Sequence, residues 1–206
     1  MRPTPEPGRT EPRTASFERR TGETRIAATL TLDSTDPSDI VTGLGFLDHM
    51  LATLARHGRL RLDLHAEGDL HVDDHHLVED CAITLGTLVA EIVGDGTGLR
   101  RFGAMYAPLD ESLARAVIDC SGRPHASVEL GCTRPMIGEV ATENLTHFFI
   151  SFAMSMRCTL HLDVIRGNND HHRVEAAMKA FALALREATA TDPGISDIPS
   201  TKGMLT

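Results

Sequence analysis

The sequence predicts an α+β fold in which a strand-helix-strand-helix unit occurs twice. Residues 74–79 have the pattern Asp-His-His-x-Val-Glu, and the pattern returns at residues 170–175, 96 positions later (170 − 74 = 96). Each copy opens a run whose apolar residues recur at three and four positions, which is the helical period. Before each copy lies a second helical run and then an alternating apolar and polar run, which is typical of a half-buried strand.

The first half contains one copy of this unit. Alternation from Glu23 predicts a strand, and the apolar spacing of residues 46–57 predicts a helix that stops at Gly58, a residue common just after a helix. Leu60, Leu62 and Leu64 alternate and predict the second strand. The motif helix follows, with its Asp expected at the N-cap, and the glycine-rich residues 94–98 close it.

The second half repeats this order with a further strand. Its predicted elements are strands at 112–120, 124–130 and 160–164, a helix at 144–157, and a last helix that starts at Asp170 and is ended by Pro193 and Gly194. The expected organisation is therefore a flexible N-terminal tail at residues 1–16, rich in Pro, Thr and Arg, a first repeat at 17–100 and a second at 101–206, which together form one compact domain.

Composition narrows the class of protein. The chain has 206 residues, enough for a sizeable core, and its 41% hydrophobic and 24% charged residues are ordinary for a globular protein. A formal net charge of −9, with no Trp and one Tyr, argues against a nucleic-acid surface. No stretch approaches the roughly 18 apolar residues of a membrane span. The four cysteines show no paired spacing and predict reduced thiols, so we expect a cytoplasmic protein without membrane partners.

The repeated motif points to metal binding. His75 and Glu79 lie one helical turn apart on one face, and the second motif has the same arrangement. The second histidine of each motif points about 100° away from this face around the helix axis, so it is poorly placed to ligate the same ion. If the two motifs face each other, His172 completes the site begun by His75 and Glu79, and His76 completes the site begun by the second motif.

Two further histidines extend the repeat. His49 and His147 lie inside the earlier helix of each half, 98 residues apart (147 − 49 = 98), and an acid, Glu23 or Glu111, stands near the start of each half. A lone histidine on an amphipathic helix is usually structural, but the matching register favours ligands. The predicted ligands are His49, His75, His76, Glu79, His147, His171, His172 and Glu175. Imidazole with carboxylate and no thiolate suits Mn²⁺, Fe²⁺, Co²⁺ or Zn²⁺, and open positions on a six-coordinate ion favour Mn²⁺ and catalysis.

Five segments taken together resemble one enzyme family. They are residues 46–50, 73–80, 121–124, 168–172 and 199–203. Jointly they are similar to the imidazoleglycerol-phosphate dehydratases of histidine biosynthesis, and the resemblance extends from about Phe17 to the end of the chain. It implies a hydro-lyase that dehydrates D-erythro-imidazole glycerol phosphate to imidazole acetol phosphate, with two Mn²⁺ ions per active site, or other divalent metals, and no organic cofactor.

The same resemblance implies a fold, an assembly and site residues. The fold is like the second domain of ribosomal protein S5, with helices between two sheets, and the homo-oligomer is a 24-mer with active sites at subunit interfaces. Catalytic roles are implied for Glu23, His49, His75, Glu79 and Glu175, with Glu23 expected to transfer a proton. Substrate contacts are implied for Glu23, and phosphate contacts for Arg101, Arg123, Ser200, Thr201 and Lys202. One ion is expected on His75, Glu79, His147 and His172, and the other on His49, His76, His171 and Glu175.

Two other classes of protein remain open at this point. A metal-storage or metal-dependent assembly protein would use the same ligands in closed coordination and would need no cations beside them. A dinuclear metallohydrolase or oxygenase would place a bridging carboxylate between close metals, but the sequence lacks the repeated Asp clusters and the facial-triad spacing that such enzymes would suggest.

Overall fold

The structure, a computed structural model, describes residues 12–205. Within them, the first half contains β1 (Thr14–Arg20), β2 (Thr24–Thr31), β3 (Asp39–Val41), α1 (Gly45–Gly58), β4 (Arg61–Gly68) and α2 (His75–Val93). The second half contains β5 (Phe102–Leu109), β6 (Ser112–Asp119), β7 (His125–Glu129), β8 (Met136–Ile137), β9 (Val140–Ala141), α3 (Thr142–Met156), β10 (Thr159–Arg166) and α4 (Asp170–Thr189).

The two halves build sheets of the same topology. The strand order is β1-β2-β4-β3 in the first sheet and β5-β6-β10-β7 in the second. In each sheet the first three strands are antiparallel and the last pair is parallel. A parallel pair needs a long crossover, and here α1 and α3 supply it. The predicted duplicated α+β fold is confirmed.

The four helices lie between the two sheets and share one apolar core. Helix α2 packs on β1 and β2 and against α3, whereas α4 packs on β5 and β6 and against α1. Strand β2 shows the underlying pattern, because Ile26, Ala28 and Leu30 point into the core while the residues between them do not. The helix pairs α2–α3 and α1–α4 therefore bring residues from distant parts of the sequence together.

Several boundaries differ from the sequence-based prediction. Strands β1 and β5 were not predicted, because their buried residues are few and small, Ala15 in β1 and Gly103 and Ala107 in β5, and give only a weak apolar alternation. Strand β1 begins at Thr14, so residues 14–16 belong to a sheet and not to the predicted tail, whereas residues 1–11 lie outside the described part of the chain. Helix α4 ends at Thr189, before Pro193, because Ala190 is already extended.

The four cysteines are free thiols, and Cys81, Cys120 and Cys158 are buried. Between residues 12 and 205, none of the helices is both long enough and apolar enough to cross a membrane.

Candidate active site

Two neighbouring aspartates accept backbone hydrogen bonds at the start of α2. Asp73 Oδ1 accepts the backbone N–H of His75 at 2.9 Å. Asp74, which is buried, instead accepts the backbone N–H of Ala141 at 2.9 Å. Asp74 is the N-cap residue of α2, as predicted, but its side chain makes no capping hydrogen bond, because the same carboxylate docks the helix onto the segment before α3.

At the start of α4, too, one residue accepts a backbone N–H of its own helix and the next residue bonds to a distant segment. Asn169 Oδ1 accepts the backbone N–H of His171 at 3.0 Å and is the N-cap. Asp170 is buried and accepts the backbone N–H groups of Thr133 and Arg134 at 3.0 and 2.7 Å. Burial opposes ionisation of Asp170, but these N–H donors outweigh it and hold the pKa of the carboxyl below its usual value.

His75, Glu79 and His147 form a first cluster between α2 and α3. Each offers a ligand atom, and these atoms lie within 4.8 Å of one another. Glu79 directs one oxygen to His147 Nε2 at 3.0 Å and the other to His75 Nε2 at 3.7 Å. Buried Asn144 places Oδ1 2.9 Å from His75 Nδ1, where an amide oxygen can only accept a hydrogen bond. The Nε2 lone pair of His75 is therefore free for a metal.

His49, His171 and Glu175 form a second cluster between α1 and α4, and its ligand atoms also lie within 4.8 Å of one another. Both histidines place Nε2 3.2 Å from the same oxygen of Glu175, Oε2, while Lys179 Nζ lies 2.8 Å from Oε1. Burial opposes ionisation of Glu175, but the hydrogen bonds from Lys179 and His49 outweigh it and lower the pKa of the carboxyl to about 2. The carboxylate is thus charged at neutral pH.

Each cluster contains three of the four residues predicted to share an ion. His76 and His172, the crossed members, are not in either cluster. His76 Nδ1 lies 3.2 Å from both carboxylate oxygens of Asp69, and its Nε2 lies 3.7 Å from Glu23 Oε1. His172 Nδ1 lies 2.8 Å from Glu111 Oε2. These hydrogen bonds to carboxylates raise the pKa of both imidazoles above the usual value.

All five predicted phosphate-binding residues line one cavity of about 500 Å³. They are Arg101, Arg123, Ser200, Thr201 and Lys202. Arg101 Nε donates to Asp119 at 2.7 Å and Nη1 donates to the carbonyl oxygen of Pro199 at 2.7 Å. Arg101 therefore ties the C-terminal segment to the second sheet and helps to shape the cavity in which it lies.

Some residues around the clusters were missed by the sequence analysis. Lys179 could have been found, because it lies four residues after Glu175 on the same helix face. Asn144 lies three residues before His147, and a buried Asn inside a helix is an unusual choice that calls for a hydrogen-bond partner. Asp69 gave no signal, because the loop before α2 is rich in acids.

Comparison with known proteins shows sequence similarity to one enzyme family. The family model for imidazoleglycerol-phosphate dehydratase matches residues 42–185. A protein of that name from Chlorobium luteolum is 48% identical over 201 residues, which cover 98% of this chain and 100% of the relative. One from Phytophthora nicotianae is 50% identical over 198 residues, which cover 96% of this chain and 44% of that longer protein.

A solved structure agrees with these matches. The crystal structure of imidazoleglycerol-phosphate dehydratase from Staphylococcus aureus superposes with a TM-score of 0.79 and 38% sequence identity, covering 87% of this chain and 99% of that one. The sequence matches and the structural match therefore point to the same family. The chain belongs to the imidazoleglycerol-phosphate dehydratase family, which confirms the predicted kind of enzyme, a hydro-lyase.

Proposed function

We propose that the chain dehydrates D-erythro-imidazole glycerol phosphate to imidazole acetol phosphate in histidine biosynthesis, with two divalent ions that hold the imidazole ring of the substrate. The observation that carries the proposal is the pair of clusters, each made of two imidazoles and one carboxylate. This donor set fits Mn²⁺ and other divalent transition metals. A bound ion would act as a Lewis acid on the substrate imidazole and ease loss of its ring proton.

The cavity around Lys202 supports an enzyme more than a storage protein. A metal-storage protein needs no cationic cavity, whereas a phosphorylated substrate needs fixed cations and donors. Arg101, Arg123 and Lys202 supply positive charge to the cavity, and Ser200 and Thr201 supply hydroxyl donors. We assign the substrate phosphate to this cavity.

The fourth ligand of each ion is proposed to come from a neighbouring subunit. His76 and His172 lie outside the two clusters of their own chain, yet both are partly exposed and near carboxylates. A homo-oligomer, expected to be a 24-mer, would bring His172 to His75, Glu79 and His147, and His76 to the second cluster. Active sites would then form at subunit interfaces.

Glu23 is proposed as the proton-transfer residue. Its side chain is 54% exposed, and Oε1 lies 3.7 Å from His76 Nε2, the nitrogen expected to face the metal. A carboxylate beside the ligating nitrogen is placed to reach a substrate held there.

The thiols are not candidates for proton transfer, since burial raises the pKa of Cys132 to about 11 and that of Cys158 to about 12. Free thiols also match a reducing compartment such as the cytoplasm.

The proposal is tested by assaying the purified protein, loaded with Mn²⁺, with imidazole glycerol phosphate. We expect imidazole acetol phosphate to form, and activity to disappear after chelation and return with Mn²⁺. A protein that binds Mn²⁺ but never turns over this substrate would contradict the proposed reaction. Activity that survives complete metal removal would contradict the role of the ions.

A further inference from the structure

The two acids Glu111 and Asp69 each hold one of the histidines that lie outside the clusters. We infer that Glu111 is a positioning residue that orients His172 with its Nε2 outward as a metal ligand, and that Asp69 does the same for His76. The inference rests on the proposed metal-dependent function and adds residues that are not themselves ligands.

Both carboxylate oxygens of Glu111 are engaged. Oε2 lies 2.8 Å from His172 Nδ1, and Oε1 accepts the backbone N–H groups of Asn168 and Asn169 at 3.0 and 2.9 Å. The two N–H groups fix the carboxylate in place. An ionised carboxylate can only accept a hydrogen bond, so the neutral ring of His172 carries its proton on Nδ1 and its lone pair on Nε2.

Asp69 makes the corresponding contact in the first half. Its two oxygens both lie 3.2 Å from His76 Nδ1, and its side chain is mostly shielded from solvent. Its backbone N–H donates to the carbonyl oxygen of Glu23 at 3.1 Å. The Nε2 of His76 is thereby left with its lone pair, as expected for a ligating histidine whose other nitrogen is held by a carboxylate.

The two halves achieve this orientation with acids from different places. Glu23 stands directly before β2 as Glu111 stands directly before β6, so by position the two are equivalents. Since Asp69 already holds Nδ1 of His76, Glu23 is not needed there and lies near Nε2 instead. The two equivalent acids therefore have different roles: Glu111 positions a histidine, whereas Glu23 is available to the substrate.

A purely structural role for Glu111 makes a different prediction. If Glu111 only held the backbone of residues 168 and 169, Glu111→Gln would be harmless, because the amide oxygen can still accept both N–H groups. The amide NH₂ would then face His172 Nδ1 as a donor. The ring would have to place its lone pair on Nδ1 and its proton on Nε2, where the proton blocks a metal.

The test measures Mn²⁺ bound to the full-length protein and its variants. The wild type should bind two ions per chain. Glu111→Gln should bind one of them about ten- to a hundredfold more weakly, the usual effect of losing such a partner. The thermal unfolding of the metal-free protein, measured at about pH 8 where protonation of His172 no longer adds stability, should stay unchanged. Glu67→Gln, which removes an exposed acid from β4, is the matched control and should bind both ions as the wild type does.

A second variant keeps the inference open to refutation if Glu111→Gln does not fold. Asp69→Leu removes only the acceptor at His76 Nδ1 and should weaken the other ion. Glu111→Gln or Asp69→Leu binding both ions with wild-type affinity would overturn the positioning role of that acid. A wild-type protein that binds no Mn²⁺ would instead overturn the proposed function itself.

Discussion

Gly86 lies where α2 crosses α3, and Gly86→Ala tests how closely these helices must pack to hold the first cluster. A Cβ at this position would lie 2.5 Å from the backbone oxygen of Phe152 and 2.9 Å from the backbone nitrogen of Met156. Since real Cβ atoms essentially never come closer than 3.0 Å, and backbone atoms in a close-packed interior have no room to yield alone, the helices must separate by at least about half an ångström.

The expected size of the effect follows from that separation. Alanine gains about 1 kcal/mol over glycine inside a helix, and overpacking costs about 1–3 kcal/mol, so the free energy of unfolding should fall by about 0–2 kcal/mol. The first cluster spans the same interface, with His75 and Glu79 on α2 and His147 on α3. A shift of half an ångström exceeds the roughly 0.2 Å tolerance of metal–ligand distances. We expect one of the two ions to bind about tenfold more weakly.

The assay is an equilibrium titration with Mn²⁺, together with thermal unfolding of the metal-free protein. The ion of the second cluster should be unaffected, because that cluster lies on α1 and α4. Gly45→Ala is the control, since nothing lies within 4 Å of a Cβ at that helical position. If Gly86→Ala binds both ions as tightly as the wild type, the spacing of α2 and α3 does not set the geometry of the first cluster.

Three further predictions follow from the site. Lys202→Ala should keep both Mn²⁺ ions but lower kcat/KM by roughly ten- to a hundredfold, the value of a charged hydrogen bond of about 1.5–3 kcal/mol; loss of metal in this variant would refute the phosphate assignment. Glu79→Gln should lower Mn²⁺ occupancy first and turnover as a consequence, so full occupancy with no turnover would contradict its role as a ligand. Because the pKa values of His76 and His172 are raised by their carboxylate partners, protons should weaken Mn²⁺ binding progressively as the pH falls from 8 to 6. In the metal-free protein the raised pKa values of His76 and His172 stabilise the folded state below about pH 6.5, and this stabilisation is lost as the pH rises through the raised values. The melting temperature of the metal-free protein should therefore show this contribution falling between pH 6 and 8. A variant that lacks both histidines should not show this pH dependence.

The local part of the site was predictable from the sequence. The helical period places residues four apart on one face, and His75–Glu79 and His171–Glu175 are paired as that period requires, at 3.7 and 3.2 Å. The repeat spacing also predicted a duplicated α+β fold, because the same local patterns recur in the same order. Where local signals were weak the prediction failed, as for the edge strands β1 and β5.

The position of each motif aspartate shows the limit of local reasoning. An Asp before a helical run favours an N-cap, and Asp74 does stand at the N-cap position of α2, whereas Asn169 takes that position in α4. The carboxylates of Asp74 and Asp170 nevertheless accept backbone N–H groups of residues 141 and 133–134. The residue before each aspartate, Asp73 or Asn169, accepts the nearby N–H instead. Sequence spacing could not distinguish these, because the deciding partners come from distant parts of the chain.

Only the tertiary structure decided which helices meet. His147 reaches Glu79 from 68 residues away and His49 reaches Glu175 from 126 residues away, because the core packs α3 on α2 and α1 on α4. The same packing aims His76 and His172 at separate carboxylates, away from the clusters of their own chain. Periodicity specifies which face of a helix is apolar, but the partner of that face depends on how both sheets and all four helices fill one core.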